Sequence, residues 1–235
     1  ISGDGSSGLS NYNVRVLNNL FPSDDTNGNH YGINLHNFGT HSIVSGNTLH
    51  EVHTGIFLDS QERAIVSNNI IINAKNRGIY LYDAANDNLI EGNLISGAPT
   101  GIKIDIIPGK RSNDRNLILG NQIRDCDTGI LVNGANDTVI LDNYLYNVNI
   151  PINVTASGIN TTIRDNRGFL TENSGTTSTG TSIVVNHGLA GTPTNVIITP
   201  LDVPGYYYVT SKGPTSFTII SELDIAFDWY AIYKP

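Results

Sequence analysis

His36 and Asp59 are the two side chains whose types and spacing are best suited to chemistry in this sequence. Each follows a glycine by four residues, His36 after Gly32 and Asp59 after Gly55, and the two glycines are 23 residues apart. An imidazole titrates near neutral pH, and a carboxylate bonded to one ring nitrogen orients the ring as a proton acceptor. If the chain stacks these two segments on one another, His36 is a candidate general base and Asp59 is its orienting partner.

A repeat around these residues predicts such stacking. Four segments consist of a glycine followed by alternating apolar and polar or aromatic residues, and their glycines recur every 23 residues, which is typical of a solenoid. Side chains alternate between the two faces of a strand, so the first and third residues after glycine face inward and the second and fourth face outward. Parallel stacking at about 4.8 Å then produces a parallel β-helix. The segments are Gly32-Ile33-Asn34-Leu35-His36, Gly55-Ile56-Phe57-Leu58-Asp59, Gly78-Ile79-Tyr80-Leu81-Tyr82 and Gly101-Ile102-Lys103-Ile104-Asp105.

Related segments on both sides extend this repeat. Residues 8–12, 129–133 and 149–153 resemble it, so we predict an all-β chain with a parallel β-helix of about seven coils over residues 1–170. An asparagine also recurs once per coil. Asparagine tolerates the left-handed backbone of a tight corner, and stacked asparagines can hydrogen-bond along the stack. These residues, which we interpret as structural, are Asn47, Asn69, Asn93, Asn121, Asn143 and Asn166.

The pattern changes in the last quarter of the chain. Residues 171–182 are rich in Ser, Thr and Gly and are interpreted as a linker. Residues 183–235 contain short apolar strands separated by Gly and Pro turns, which predicts a small antiparallel β-sandwich. The stretch that includes His187-Gly188-Leu189 and ends at Phe227-Asp228-Trp229-Tyr230-Ala231 resembles a C-terminal module of phage tail fibres.

Composition limits the partners. The net charge of −8 argues against nucleic acid and against anionic membranes, because both require clustered Lys and Arg. The single cysteine, Cys126, excludes an intrachain disulfide, and no apolar run has the length of a membrane span. No cofactor is predicted, although the oxygen-rich loop Ser23–Asn29 leaves Ca²⁺ open, with a solvated turn as the alternative. The chain begins at Ile1, shows no signal peptide and contains no Met, so we expect a processed product or a piece of a longer protein.

The outward positions predict a surface for a sugar polymer. Aromatic rings pack on pyranose faces, while carboxylates and amides bind hydroxyl groups. The alternative is that these side chains form ordinary solvated ion pairs or pack beneath a neighbouring loop, since the outer face of any solenoid is polar. The insertion from Ile106 to Asp114 lengthens one coil and marks a loop on one face. The outward positions are Asn34, Phe57, Tyr80 and Lys103 two residues after glycine, and His36, Asp59, Tyr82 and Asp105 four residues after it.

The repeats resemble the pectin-lyase-like superfamily of right-handed parallel β-helices, in the Asn-rich class that includes alginate-active enzymes. Tyr31-Gly32-Ile33-Asn34-Leu35-His36, followed by Asp59 four residues after the next glycine, is similar to the active-site pattern of mannuronan C5-epimerases and alginate lyases. The resemblance implies that Tyr31 and His36 are the acid/base pair and that Asp59 is the carboxylate of the second coil. Asn34 and Leu35 stand where the family pattern has Asp and Pro.

This resemblance implies proton abstraction from C5 of a uronate polysaccharide, by epimerisation or by β-elimination. His36 would be the base, Tyr31 the proton donor, and Lys103 or Arg77 would neutralise the substrate carboxylate. Asp59 and Asp105, two coils or about 9.6 Å apart, leave a two-carboxylate glycosidase as a further option.

The alternative from a different class is a non-catalytic tail-fibre or adhesin segment, with homotrimer assembly, that binds surface polysaccharide. Both interpretations place the protein outside the cell or on a virion surface.

Overall fold

The computed structural model describes residues 2–3, 13–22, 30–36, 39–106, 111–155 and 160–234. The predicted first repeat at residues 8–12, the possible calcium loop at 23–29 and residues 107–110 of the insertion lie outside the described residues. The chain divides into two units, Ile1–Gly168 and Phe169–Pro235. No helix occurs in the parts of the chain that the structure describes, and hence none that could cross a bilayer.

The first unit is a parallel β-helix, as the repeat predicts. Its strands pair in parallel with equivalent positions of the next turn throughout. The strands are β1 (Ser2–Gly3), β2 (Arg15–Leu17), β3 (Leu20–Phe21), β4 (Tyr31–Leu35), β5 (Gly39–Thr40), β6 (Ile43–Ser45), β7 (Thr48–His50), β8 (Thr54–Asp59), β9 (Gln61–Glu62), β10 (Ile65–Ser67), β11 (Ile70–Ile72), β12 (Arg77–Tyr82), β13 (Leu89–Glu91), β14 (Leu94–Ser96), β15 (Thr100–Asp105), β16 (Leu117–Leu119), β17 (Gln122–Asn133), β18 (Val139–Leu141), β19 (Tyr144–Val154) and β20 (Thr162–Arg164).

Apart from β5 and β9, which pair as a separate short sheet, these strands form three walls. The front wall consists of β4, β8, β12, β15 and the second parts of β17 and β19. The side wall consists of β3, β7, β11, β14 and the first parts of β17 and β19. The rear wall is the seven-stranded sheet β2-β6-β10-β13-β16-β18-β20. Five complete turns run between Tyr31 and Ile150, slightly fewer than the predicted count of about seven coils.

Apolar side chains and asparagines fill the interior. The first and third residues after each repeat glycine are fully buried, as with Ile56 and Leu58 at 0% exposure, because strand alternation turns both into the bore. Asparagines stack at one corner: the Asn69 amide nitrogen donates to Asn93 Oδ1 at 3.0 Å, and the bond repeats along the stack. The ladder satisfies polar groups that a dry interior would otherwise leave without partners.

The repeat glycines permit close approach of neighbouring walls. A Cβ at Gly78 would lie 2.6 Å from the carbonyl oxygen of Gly101 and 2.6 Å from Cγ2 of Ile95. No ordinary side chain fits at such a distance, so glycine is required where the front wall meets the side-wall core. This steric demand explains the 23-residue glycine spacing.

The second unit consists of two three-stranded antiparallel sheets around a shared apolar core. Phe217 and Phe227, at the centre of that core, are fully buried. Residues 171–182, interpreted as a linker, instead contain a strand at Glu172–Thr176 and the first residues of another at Gly180–Asn186. Ser and Thr side chains fit an exposed strand as well as they fit a linker. The sheets are β21-β26-β23 and β22-β25-β24, with β21 (Glu172–Thr176), β22 (Gly180–Asn186), β23 (Asn195–Pro200), β24 (Tyr207–Lys212), β25 (Ser216–Ile225) and β26 (Phe227–Ile232).

Candidate functional site

The structure brings His36 and Asp59 into contact on the front wall. Tyr31–Leu35 and Thr54–Asp59 pair in register, so the residues that follow glycine by four stack on one another. Nδ1 of His36 lies 2.6 Å from Oδ2 of Asp59. The His36 side chain is 43% exposed, whereas that of Asp59 is 10% exposed. The His36 imidazole is therefore exposed at the surface and contacts a mostly buried carboxylate.

The other oxygen of Asp59 is held by its neighbour in sequence. Ser60 Oγ donates to Asp59 Oδ1 at 3.0 Å, and Arg111 Nη2 donates to Ser60 Oγ at 3.4 Å. Arg111 belongs to the insertion and also lies 3.5 Å from a carboxylate oxygen of Asp83. Sequence analysis missed Ser60 and Arg111 as site residues, and the only available indication was that the insertion lengthens a coil.

Four aromatic rings form a ladder along the front wall. Tyr31 stacks on Phe57 with ring centroids 4.7 Å apart, and Phe57 stacks on Tyr80 at 5.1 Å. Tyr82 lies 5.7 Å from Tyr80 and 6.1 Å from Phe57. Phe57 and Asp59 lie two residues apart on the same face of β8, so the stack brings the phenol of Tyr31 to the side of the wall that carries His36.

The ladder is mostly covered. Phe57 and Tyr80 are each 7% exposed, while Tyr31 is 40% exposed and Tyr82 is half-buried. A sugar ring would therefore meet Tyr31 and Tyr82, and the other two rings support them from below. This differs from the flat row of accessible rings that strand alternation alone suggests, because neighbouring rings are large enough to cover one another.

The cations of the front wall surround Tyr80. The Arg77 guanidinium lies 4.3 Å from the centre of the Tyr80 ring, and Lys103 Nζ lies 5.7 Å from it. Lys103 also forms an ion pair with Asp105 at 2.7 Å. Burial raises the pKa of Tyr80 far above its ordinary value, and the negative charge of Asp105 raises it further. Tyr80 thus stays a neutral phenol, which suits a structural or hydrogen-bonding role.

Asn34 offers a polar atom next to this pair. It sits on β4 opposite Phe57, two residues before His36. Its Oδ1 is buried and has no hydrogen-bond partner among the described residues. Burying an acceptor without a hydrogen-bond partner costs about 1–3 kcal/mol, so a ligand that donates a hydrogen bond to Asn34 Oδ1 is favoured.

The proposed site residues therefore fall into two groups. His36, Asp59, Tyr31 and Asn34 lie on the first two strands of the front wall. Lys103 and Asp105 lie on β15, two rungs below Asp59 and thus about 9.6 Å from it. The second group does not reach the His36 imidazole.

The profile of the NosD family, described as periplasmic copper-binding protein, matches residues 2–184. The chain belongs to the NosD family. This match spans the whole β-helix, so the family assignment and the fold agree. Among curated protein sequences, none matches this NosD-family chain.

The described residues of the NosD-family chain do not fit a copper site. Copper favours Cys, Met and His ligands held close together. The sequence contains no Met, and Cys126 is buried, which raises the pKa of its thiol and disfavours the thiolate that would bind a metal. No group of three His, Cys, Asp or Glu residues comes together in the ranges that the structure describes.

Three solved structures are similar to the NosD-family chain, and the first two share its fold. An alginate lyase from Paenibacillus sp. is 22% identical, with a TM-score of 0.51, over 63% of this chain and 55% of the lyase. The A-module of a mannuronan C-5 epimerase from Azotobacter vinelandii is 17% identical, with a TM-score of 0.50, over 60% of this chain and 39% of the module. The Dettilon tailspike protein is 11% identical, with a TM-score of 0.44, over 87% of this chain and 66% of the tailspike. The chain thus spans about half of the lyase or less than half of the epimerase module, and these identities establish the fold alone.

Proposed function

We propose that the front wall acts on an acidic, uronate-containing polysaccharide by removing the proton at C5, as a lyase or an epimerase does. The observation that carries this proposal is the contact of 2.6 Å between His36 Nδ1 and Asp59 Oδ2, on the same wall as the exposed Tyr31 that stacks on Phe57. The likeness in fold to an alginate lyase and to a mannuronan C-5 epimerase supports this proposal. The argument for this chain depends on its own side chains.

His36 is the base in this proposal and Asp59 positions it. Asp59 accepts a hydrogen bond from Nδ1, which stabilises the tautomer with its lone pair on Nε2. Nε2 therefore takes the proton from C5 when a sugar lies on the wall. Asp59 then stabilises the imidazolium that forms, as a buried carboxylate does for any histidine base.

Tyr31 is the proton donor. Its ring is held by Phe57 and is 40% exposed, so its hydroxyl is accessible to a bound sugar. Loss of the C5 proton leaves an electron pair delocalised into the carboxyl group. In epimerisation the Tyr31 hydroxyl returns a proton to the opposite face of C5; in elimination the electron pair forms the C4–C5 double bond while the C4–O bond breaks and the leaving oxygen takes the proton.

The C5 proton becomes acidic only when the adjacent carboxylate is neutralised. Asn34 lies two residues before His36, and its Oδ1, which has no partner among the described residues, would accept a hydrogen bond from a sugar hydroxyl or from the carboxyl group in its protonated form. Arg77 and Lys103 lie farther along the wall, above the Tyr80 ring, and would hold carboxylates of neighbouring sugar units. Lys103 is already paired with Asp105, so Arg77 is the stronger candidate of the two.

We also propose that the protein works outside the cytoplasm, where such polymers occur, in line with the periplasmic description of the family. Assembly as a homotrimer belongs to the fibre hypothesis, in which the β-helix is a spacer that binds polysaccharide without turnover.

The test is an activity assay on alginate, pectate and hyaluronan. Ultraviolet absorbance of unsaturated uronates detects a lyase, and proton NMR of the polymer detects an epimerase. We expect His36→Ala and Tyr31→Phe to lower kcat by about 10²- to 10⁴-fold. His50→Ala is the matched control, since His50 lies on the side wall and should leave the rate unchanged.

Two outcomes would contradict the proposal. The first is the absence of turnover on all three polymers together with a trimer by light scattering, which would favour the fibre hypothesis. The second is turnover that His36→Ala leaves intact, which would move the chemistry away from the front wall.

A further inference from the structure

A second aromatic surface lies at the end of the side wall, away from the front wall. Gln122, Ile123 and Arg124 of β17 and Tyr144 and Tyr146 of β19 line a cavity of about 250 Å³, here called the Tyr146 groove. Tyr144 is 41% exposed and Tyr146 is 59% exposed. Exposing large aromatic rings to water is unfavourable in free energy, and a ligand that covers the rings removes this cost.

The fold fixes the orientation of these rings. The guanidinium of Arg167 lies 5.1 Å from the centre of the Tyr144 ring. The rings of Tyr144 and Tyr146 are 6.2 Å apart and nearly parallel, with 28° between their planes. Tyr146 is therefore supported from one side, so that binding a ligand on it would cost little side-chain entropy.

A positive charge lies directly beside the exposed ring. Arg124 pairs with Tyr146 in the parallel register, about 4.8 Å away, and is itself exposed. Neither Arg124 nor Arg167 forms an ion pair with a carboxylate within the ranges that the structure describes. The nearest acidic side chain in sequence, Asp125, instead accepts hydrogen bonds from Asn147 and Ser96.

We propose that the Tyr146 groove binds a uronate unit of an acidic polysaccharide. The pyranose ring packs on Tyr146, and the carboxylate forms a bidentate pair with Arg124. Charge complementarity selects this occupant: Arg124 is exposed and pairs with no carboxylate in the described ranges, so an anionic ligand is favoured, and a neutral sugar would leave Arg124 without a counter-charge. The exposed ring of Tyr146 favours a ligand that also has a flat apolar face, as a pyranose ring does. The inference takes the class of polymer from the proposed function, but its site is separate.

The test is isothermal titration of a short oligouronate into the full chain. We expect Tyr146→Ala to weaken oligouronate binding by about tenfold or more, because the aromatic ring that anchors the sugar is lost. Arg124→Ala should weaken binding of the oligouronate while leaving a neutral oligosaccharide of equal length unaffected. Tyr208→Ala is the matched control, because Tyr208 is 51% exposed and stacks on Tyr206 in the second unit.

Several results would overturn the inference. Unchanged oligouronate affinity in both Tyr146→Ala and Arg124→Ala would show that the groove is not a sugar site. A change in sedimentation of Tyr146→Ala, with sugar affinity retained, would assign the groove to a second copy of the chain.

The two proposals fail separately. Binding that depends on Tyr146 in a protein without turnover supports the groove and contradicts only the proposed function. Turnover that depends on His36, with binding indifferent to Tyr146, contradicts only the groove.

Discussion

Replacing Asn69 with alanine tests whether the asparagine ladder holds the turns that carry His36 and Asp59 in register. Asn69 belongs to the turn with Asp59, and its ladder neighbour Asn47 belongs to the turn with His36. The Asn69 side chain is fully buried. Its Oδ1 accepts from the backbone and side-chain nitrogens of Asn47, each at 2.9 Å, and its Nδ2 donates to the Val44 carbonyl at 2.9 Å. A fourth bond continues the ladder from Asn69 Nδ2 to Asn93 Oδ1 at 3.0 Å.

The expected loss follows from those four bonds. A buried intramolecular hydrogen bond contributes about 0.5–1.5 kcal/mol net, and Asn69→Ala would also leave the Asn47 backbone N–H buried without an acceptor. We therefore expect the free energy of unfolding to fall by about 4 kcal/mol. The fall should appear as a lower urea midpoint at an unchanged slope, because the amount of surface exposed on unfolding stays the same.

The control is Asn149→Ala. Asn149 is exposed and makes one side-chain bond, to Asp127 at 3.3 Å, so its loss should cost less than about 0.5 kcal/mol. If Asn69→Ala also costs less than about 1 kcal/mol, the ladder does not fix the register and the physical account of the site fails. If turnover is present, Asn69→Ala should reduce it at temperatures where the variant is still folded, because the His36–Asp59 contact depends on that register.

Three further predictions follow from the described contacts. Gly78→Ala should lower the melting temperature and cost about 1–3 kcal/mol, because the new Cβ would lie 2.6 Å from a backbone oxygen. Gly213→Ala, whose new Cβ would have its nearest neighbouring atom at 3.4 Å, should have little effect, and equal melting temperatures for the two variants would contradict the steric argument. Burial raises the pKa of Cys126, so at pH 8 its thiol should react with a disulfide reagent at least about tenfold more slowly in the folded protein than in urea, and equal rates would refute its burial. A hydrogen bond from Arg115 lowers the pKa of Asp87, so the wild type should be more stable than Asp87→Asn at neutral pH, by less than about 1 kcal/mol because the pair is exposed. Urea unfolding should show that this difference disappears as the pH falls through the lowered pKa of Asp87. A stability difference that grows in acid would contradict this account.

Much of the fold could be predicted because one local rule repeats. A glycine every 23 residues followed by alternating side chains dictates which residues face the bore, and parallel stacking then aligns equivalent positions. The asparagine ladder follows from the same period. The strand at residues 172–176 and the first residues of the strand at 180–186 could not be predicted, because Ser, Thr and Gly in a run without apolar alternation fit both an exposed strand and a linker.

The candidate site divides in the same way. The sequence by itself determined that His36 stands beside Asp59, since stacking in register is a consequence of the period. Only the tertiary structure decided that Arg111 reaches back to Ser60, because an insertion follows no period and its path depends on packing. The same holds for the coverage of Phe57 and Tyr80, which depends on rotamers of neighbouring rings.

The Tyr146 groove is likewise a product of tertiary structure. The repeat places Arg124 beside Tyr146, because each follows a ladder asparagine, Asn121 or Asn143, by three residues. The exposure of Tyr144 and Tyr146 is what the sequence does not indicate. The parallel register of β17 and β19 pairs Arg124 with Tyr146. Periodic sequence thus determines which side chains stack along a wall, whereas the irregular parts of the chain determine which of them remain accessible, because accessibility depends on contacts between residues that no repeat relates.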